Sequence, residues 1–245
     1  MSRPQPLGRA DLLAPLTPAP DASERVGVEV ECALLDPVTG IGARYSGPRG
    51  VRAVRAAVLE RWGGEPEYDT RQLTGVRLPG GGSVTLEHGG RIEYSSMPAP
   101  GVGGAVDEVR AALERLADLA AGFGPALVPG GNLPFGRLAD VERVPMTRGA
   151  AMRRYFAGLG PAGERAPQMM ALSLSTRATL DFLGPEDLTR KLRMQTAVAP
   201  RSPRCSSTPR CWKAVRAACC PTAAGPGCGR TRSAPACCRP PCAPT

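Results

Sequence analysis

Glutamates recurring along two short strings are the residues of this chain whose types and spacing best fit chemistry. Val26-Gly27-Val28-Glu29-Val30-Glu31 and Leu86-Glu87-His88-Gly89-Gly90-Arg91-Ile92-Glu93-Tyr94-Ser95 each read as β-strand. Residues two apart in a strand project from the same face. Glu29 and Glu31 therefore point together, with Val28 and Val30 on the other side. Carboxylates sharing a face repel one another unless water or cations compensate. Hard divalent cations such as Mg²⁺ prefer such oxygen-rich surfaces, usually beside substrate phosphates. The pattern points to metal–nucleotide chemistry on a sheet. Taken singly, either string reads better as an exposed strand face with solvated glutamates.

Other chemistries find less support. His88 is the only histidine, which counts against Ser/His and Cys/His nucleophilic arrangements. Its place before Gly89-Gly90 predicts a solvent-exposed turn residue. Cys32, next to Glu31, reads as a small buried residue. Pro79-Gly80-Gly81-Gly82 lacks the Lys-Ser/Thr ending of a phosphate loop and reads as a hairpin turn.

The elements that must position these residues follow from periodicity and turn chemistry. A strand is expected over Arg25–Leu35 and ends at Asp36-Pro37. A helix over Pro48–Trp62 repeats Val51, Val54, Val58 and Trp62 at helical spacing and stops at Gly63-Gly64. Strands over Thr74–Leu78, Ser83–Glu87 and Arg91–Ser96 are joined by turns short enough to force antiparallel pairing. A long helix over Gly104–Ala121 carries Val106, Val109, Leu113, Leu116 and Ala120 as its apolar stripe. Asp107 and Glu108 are expected in its first turn, where the helix dipole favours them. Residues 145–157 and 185–199 read as helices, and Leu172–Leu183 as a strand.

The 245 residues suffice for one large domain or two small ones, with 42% apolar and 4% aromatic residues. No apolar run reaches membrane-spanning length, and Met1–Pro20 does not read as a signal peptide, so a cytoplasmic protein is expected. The net charge of +9 invites a nucleic-acid reading, but it is concentrated at one end. Residues 201–245 hold eight basic residues and no Asp or Glu, which leaves residues 1–200 at +1. Eight of the nine cysteines lie there too. They come without His, and the C-x₃-C spacing of Cys238 and Cys242 has no second knuckle to complete a four-ligand set, so a zinc site is not supported. Allowing only synonymous codons, Gly227–Pro241 can be read in another frame as V-W-A-D-T-E-R-T-G-L-L-P-P-A, and Arg204–Arg210 as L-F-V-N-S-P. Both readings restore acids and an ordinary apolar pattern. A frame-shifted stretch after about Pro200 is expected, disordered and without an evolved fold.

Several motifs in order resemble the bacterial and plant-type glutamate–cysteine ligases. Val26–Glu31 resembles that family's G-x-E-x-E strand, and Glu87–Ser95 its E-P-G-G-Q-x-E-L-S motif. Pro145-Met146-Thr147-Arg148 with Met152 and Tyr155 resembles P-R-Y-x-x-M-x-x-Y. Met169-Met170 with Ser173–Asp181 resembles M-x-x-T-A-S-x-Q-V-N-L-D. Lys191–Pro200 resembles the helix leading into A-P-V-L-x-A-L-F-A-N-S-P, and the out-of-frame strings fit the family's next stretch. The style is closest to the actinobacterial branch serving ergothioneine biosynthesis. His88 stands where Pro is usual, Arg91 and Arg177 where Gln is usual, Gly149 where Tyr is usual and Thr179 where Asn is usual.

The resemblance implies an α/β fold: a curved, mostly antiparallel sheet with outer helices, similar to glutamine synthetase and incomplete at the C-terminus. It implies the N-terminal part of a catalytic domain over 21–200, between residues 1–20, whose Pro and Leu content reads as a loose lead-in, and the out-of-frame tail over 201–245. It implies ATP and Mg²⁺ as cofactors and glutamate and cysteine as substrates, with neither nucleic acid nor membrane as partner. ATP would phosphorylate the glutamate γ-carboxylate, and the cysteine amine would displace phosphate from the acyl phosphate. Glu29, Glu31 and Glu93, then Glu87, are the metal candidates. Arg148 and Arg177 are candidates for carboxylate or phosphate contacts. Activity is expected to be impaired in this chain. A carboxylate–amine ligase with another acceptor, and a non-catalytic remnant, stay open.

Overall fold

The computed structural model describes residues 7–14, 17, 18, 22–133 and 135–198. It is a mixed α/β arrangement around an open antiparallel sheet. A five-residue helix, α1 (Arg9–Leu13), precedes the sheet and buries no residue. The expectation for residues 201–245 lies outside the described residues.

The sheet is organised by one long central strand, β1 (Val26–Leu35). One side of β1 pairs with β5 (Ile92–Ser95), which continues through β4 (Ser83–Leu86) and β3 (Gln72–Arg77) to β2 (Glu65–Asp69). Its other side is shared. β7 (Thr176–Leu180) pairs with the first half of β1, and β6 (Ala126–Pro129) with the second. Every pairing is antiparallel. The Pro79–Gly82 segment closes the β3–β4 hairpin, with the Leu78 amide donating to the Gly82 carbonyl at 3.1 Å.

Alternation along β1 separates two environments. Val28, Val30, Cys32 and Leu34 face the main core, with Val84, Leu86, Ile92 and Tyr94 from the neighbouring strands. Two helices cover that face, α2 (Val51–Trp62) and α3 (Val102–Ala121). Leu116 of α3 is 1% exposed; burial of such a side chain contributes about 1.5–3 kcal/mol. On the opposite face Ala33 and Leu35 join Leu133, Ala171, Leu172 and Leu174 in a smaller cluster. Glu29 and Glu31 lie on that second face. Three further helices complete the described chain: α4 (Thr147–Gly158), α5 (Ala166–Leu172) and α6 (Pro185–Val198).

Several boundaries differ from the sequence reading. α2 starts at Val51 rather than Pro48, because Gly50 caps it in an extended conformation. A Cβ at Gly50 would lie 2.2 Å from the Ser46 carbonyl oxygen, so the entry turn needs glycine. α3 starts at Val102, which moves Asp107 and Glu108 out of the first turn. Glu108 instead accepts hydrogen bonds from the Tyr94 hydroxyl at 2.8 Å and the Met97 amide at 2.9 Å, tying helix to sheet. The buried stripe of α3 runs through Ala105 and not Val106, which is exposed. The expected strand Leu172–Leu183 shrinks to β7, because its first residue closes α5.

Arg55 is an exception to the apolar helix–sheet interface. It is fully buried on α2, and none of its guanidinium nitrogens has a hydrogen-bond partner among the described residues. Burial lowers its pKa, and Tyr45 is the group that partly offsets this.

Candidate active site

The second face of the sheet gathers the glutamates of both strings. β1 and β5 are in a register that sets Glu31 opposite Glu93, and β7 sets Arg177 opposite Glu29. On β5, Ile92 and Tyr94 enter the core, so Arg91 and Glu93 take the other face. On β4, Val84 and Leu86 do the same and leave Thr85 and Glu87 beside them. Four carboxylates from three neighbouring segments thus meet two guanidiniums.

The two arginines sit differently. Arg91 is deep, with 5% of its side chain exposed. Its Nε donates to Glu31 at 3.1 Å and one terminal nitrogen donates to the Met170 carbonyl at 2.8 Å, while the other lies 3.9 Å from Glu87. Arg177 is half exposed at 53%. Its Nε lies 2.9 Å from Glu29, and one terminal nitrogen lies 2.5 Å from Glu93 and 3.8 Å from Glu31. The remaining oxygens are also engaged. Glu31 accepts from the Ser175 hydroxyl at 2.5 Å, and Glu93 from the Thr85 hydroxyl at 3.2 Å. The Glu31 backbone amide donates to the Ser175 carbonyl at 2.8 Å, so Ser175 is held to β1 by main chain and side chain together.

Electrostatics follow from this packing. Burial raises the Glu87 pKa, Glu31 and Glu93 raise it further, and Arg91 and Arg177 oppose them. Burial also pulls against the Arg177 charge, but Glu93, Glu29 and Glu31 outweigh it and lift its pKa. Cys32, on the core side of β1, is fully buried, and its thiol is pushed up to about 12 by burial and by Glu31. That thiol is inert at neutral pH, in line with a packing role.

His88 differs from the expectation of a solvent-exposed turn residue. It is partly buried, with Nδ1 unpartnered among the described residues. Burial lowers its pKa, and the nearby cations Arg148, Arg91 and Arg153 lower it further. Arg148 itself is exposed on the first turn of α4 and borders the cluster through His88. The reading of each string as a solvated strand face also fails for its key members. Glu31 and Glu93 are 8% and 7% exposed. A single strand gives no sign of this, because the groups packed on these carboxylates come from other segments: Arg91 and Ser175 on Glu31, Thr85 and Arg177 on Glu93.

Sequence reasoning did not single out Arg91, Ser175 and Thr85 as site residues. All three carry a signal in their spacing: each stands two residues from a candidate, Arg91 from Glu93, Ser175 from Arg177 and Thr85 from Glu87, and so shares its face.

The donor set suits a hard cation in kind, since it offers carboxylate oxygens from adjoining strands. Its arrangement is that of an ion-pair network, however. Among the described residues, no three His, Cys, Asp or Glu side chains are placed to hold a metal ion. The Arg177 guanidinium stands among the three carboxylates as a cation of the chain's own.

Comparison with known proteins decides the family. The profile of glutamate–cysteine ligase family 2 matches residues 25–228, which takes in the whole sheet and extends past Pro200. The chain belongs to this glutamate–cysteine ligase family. It is 27% identical over 198 residues to the chloroplastic glutamate–cysteine ligase of Brassica juncea, covering 80% of this chain and 37% of that protein. It is 26% identical to the chloroplastic glutamate–cysteine ligase B of Oryza sativa subsp. japonica, covering 80% and 38%. The Arabidopsis thaliana chloroplastic ligase is 27% identical, with 80% and 37% covered. The chain thus spans less than two-fifths of the length of these curated ligases. Among the described residues no helix is long and apolar enough to cross a membrane.

Proposed function

We propose that this chain carries the carboxylate-bearing sheet of an ATP-dependent ligase that joins the γ-carboxylate of L-glutamate to the amine of L-cysteine. The observation that carries the reading is the convergence of Glu29, Glu31, Glu87 and Glu93 on one sheet face within a family match. Glu29, Glu31 and Glu93 would hold Mg²⁺, with Glu87 beside them. Bound there, Mg²⁺ neutralises phosphate charge during phosphoryl transfer.

The protein's own part is placement. Arg91 locks Glu31 through a buried ion pair and anchors it to α5 through the Met170 carbonyl. Ser175 fixes the second Glu31 oxygen. The face is thereby pre-arranged before substrates arrive, which is the main lever available for phosphoryl transfer. Arg148 lies on the rim and suits a substrate carboxylate or phosphate. In the reaction the γ-carboxylate oxygen takes the terminal phosphoryl group of ATP and ADP leaves. The cysteine amine then adds to the carbonyl carbon, phosphate departs, and the amine loses a proton. The product, γ-glutamylcysteine, would feed low-molecular-weight thiol biosynthesis, ergothioneine included. Turnover of this chain is proposed to be low, because 201–245 lacks the apolar periodicity that a packed element requires.

The test is formation of γ-glutamylcysteine with stoichiometric ADP, followed by mass spectrometry, together with Mg–ATP and glutamate binding by calorimetry. Product should need glutamate, cysteine and Mg²⁺ together, and E31Q and E93Q should each reduce it severely. Peptide formed with another amine and not with cysteine would move the acceptor assignment. A folded chain that binds neither Mg–ATP nor glutamate would overturn the reading.

A further inference from the structure

We propose that Arg177 is a tethered counter-cation that occupies the seat between Glu29, Glu31 and Glu93, and that a divalent cation binds there only by displacing it. The inference rests on the reading that these three carboxylates are the cation's ligands.

Geometry separates Arg177 from every other basic residue near the site. It alone touches carboxylates on both β1 and β5 from β7, at 2.9 Å from Glu29, 2.5 Å from Glu93 and 3.8 Å from Glu31. Two of those partners are nearly buried, with 10% and 9% of their side chains exposed. A carboxylate so buried needs a nearby positive charge to remain ionised. Arg91 cannot leave, because it is 5% exposed and bound to a main-chain carbonyl. Arg177 can, because 53% of its side chain is already in solvent and its register position on β7 does not depend on where the guanidinium lies.

Charge makes the exchange favourable. Four carboxylates face two guanidiniums here, so the cluster keeps an excess of two negative charges. Withdrawal of Arg177 alone would raise that excess to three. A divalent cation taking its place would lower it to one. The side chain therefore holds the face together in the empty state and yields to an ion of higher charge density. Because the competent state is only the fraction with Arg177 withdrawn, apparent cation affinity falls by that fraction. The motif that this segment resembles carries Gln at position 177, so the competition is a property of this chain's own residue.

The test measures Mn²⁺ binding to the full 245-residue chain by the electron paramagnetic resonance signal of free Mn²⁺, without nucleotide or substrate. R177Q keeps hydrogen-bonding capacity and removes the charge. It should bind Mn²⁺ roughly ten-fold or more tightly than the unsubstituted chain. R52Q makes the same charge change on the exposed side of α2 and should leave affinity unchanged. Adding E93Q to R177Q should abolish the gain. Equal or weaker binding by R177Q, with binding still lost in E31Q, would overturn the competition and leave the ligand assignment standing. A gain that survives E93Q, or that R52Q reproduces, would also overturn it, because it would then be general electrostatics. Absence of Mn²⁺ binding in every variant would overturn the ligand assignment and this inference with it. Far-ultraviolet circular dichroism checks the fold, and R177M is read by the same criteria if R177Q does not fold.

Discussion

Glu31 and Glu93 face each other as register partners across β1 and β5, both buried, and each is paired with a different arginine at close range. Like charges opposite each other in an antiparallel pair are destabilising. This pair persists because Arg91 compensates from beneath and Arg177 from the open side.

Removal of Arg91 should therefore damage the fold more than removal of Arg177. R91M would leave Glu31 buried without its partner and the Met170 carbonyl without its donor. Breaking one side of such a buried pair costs about 3–5 kcal/mol. Urea unfolding should show that loss, and the R91M/E31Q double variant should lose less than the two single variants together. A loss under about 1 kcal/mol in R91M would contradict the buried pairing.

His88 reports on the same neighbourhood from the other side. Its pKa sits below 6.5 because burial and then the cations Arg148, Arg91 and Arg153 disfavour the imidazolium. A group whose folded pKa is depressed contributes stability that is present above the unfolded value and lost as pH falls through the folded one. The chain has one histidine, so a single ring resonance in an NMR titration gives the answer. Its midpoint should lie below 6.5, and R148Q should move it upward. A midpoint at or above 6.5 would mean that the ring is not packed as described.

The sequence exposed the alternation of the carboxylate strings, because a period of two is intrinsic to a strand. The β3–β4–β5 meander was legible for the same reason, since turns as short as Pro79–Gly82 and His88–Gly90 leave only antiparallel pairing. β6 was not legible: four residues ending in Pro129 carry too little pattern. The role of Arg91 was hidden because a strand pattern gives its side and not its cover. α5 closes over it through the Met170 carbonyl, and that contact spans 79 residues of sequence. Arg177 was picked out by resemblance to a motif, yet its place among three carboxylates depends on β7 pairing with β1, which no local signal specifies.

Arg55 makes a test in the opposite direction. A fully buried guanidinium whose one compensating neighbour is Tyr45, with no well-formed hydrogen bond among the described residues, is destabilising relative to an apolar side chain of similar volume. R55M should raise stability, by about 1–4 kcal/mol on the scale of buried charges replaced by packed apolar groups. Thermal unfolding at pH 7 measures it. A lower midpoint for R55M would show that the Tyr45 interaction and the packing of the Arg55 side chain outweigh the cost of burying its charge.

The two glycines between Glu87 and Arg91 perform separable tasks. Gly90 has φ near +78°, a conformation that costs an L-residue about 1–2 kcal/mol, but a Cβ there would meet nothing closer than Val51 at 3.6 Å. Gly89 is limited by space. A Cβ would stand 2.3 Å from the Ala171 carbonyl oxygen and 2.6 Å from an Arg91 guanidinium nitrogen. One obstacle is backbone and cannot retreat without moving α5, and the other is the side chain that holds Glu31. G90A should thus lose stability through strain alone and keep Mn²⁺ affinity. G89A should lose about 1–3 kcal/mol through overpacking, and it should also weaken Mn²⁺ binding, because Arg91 can no longer hold Glu31 in place. Urea unfolding and the Mn²⁺ titration, run on both variants, separate the two tasks. Equal Mn²⁺ affinity in G89A and G90A would detach Gly89 from the site and leave it a role in packing alone.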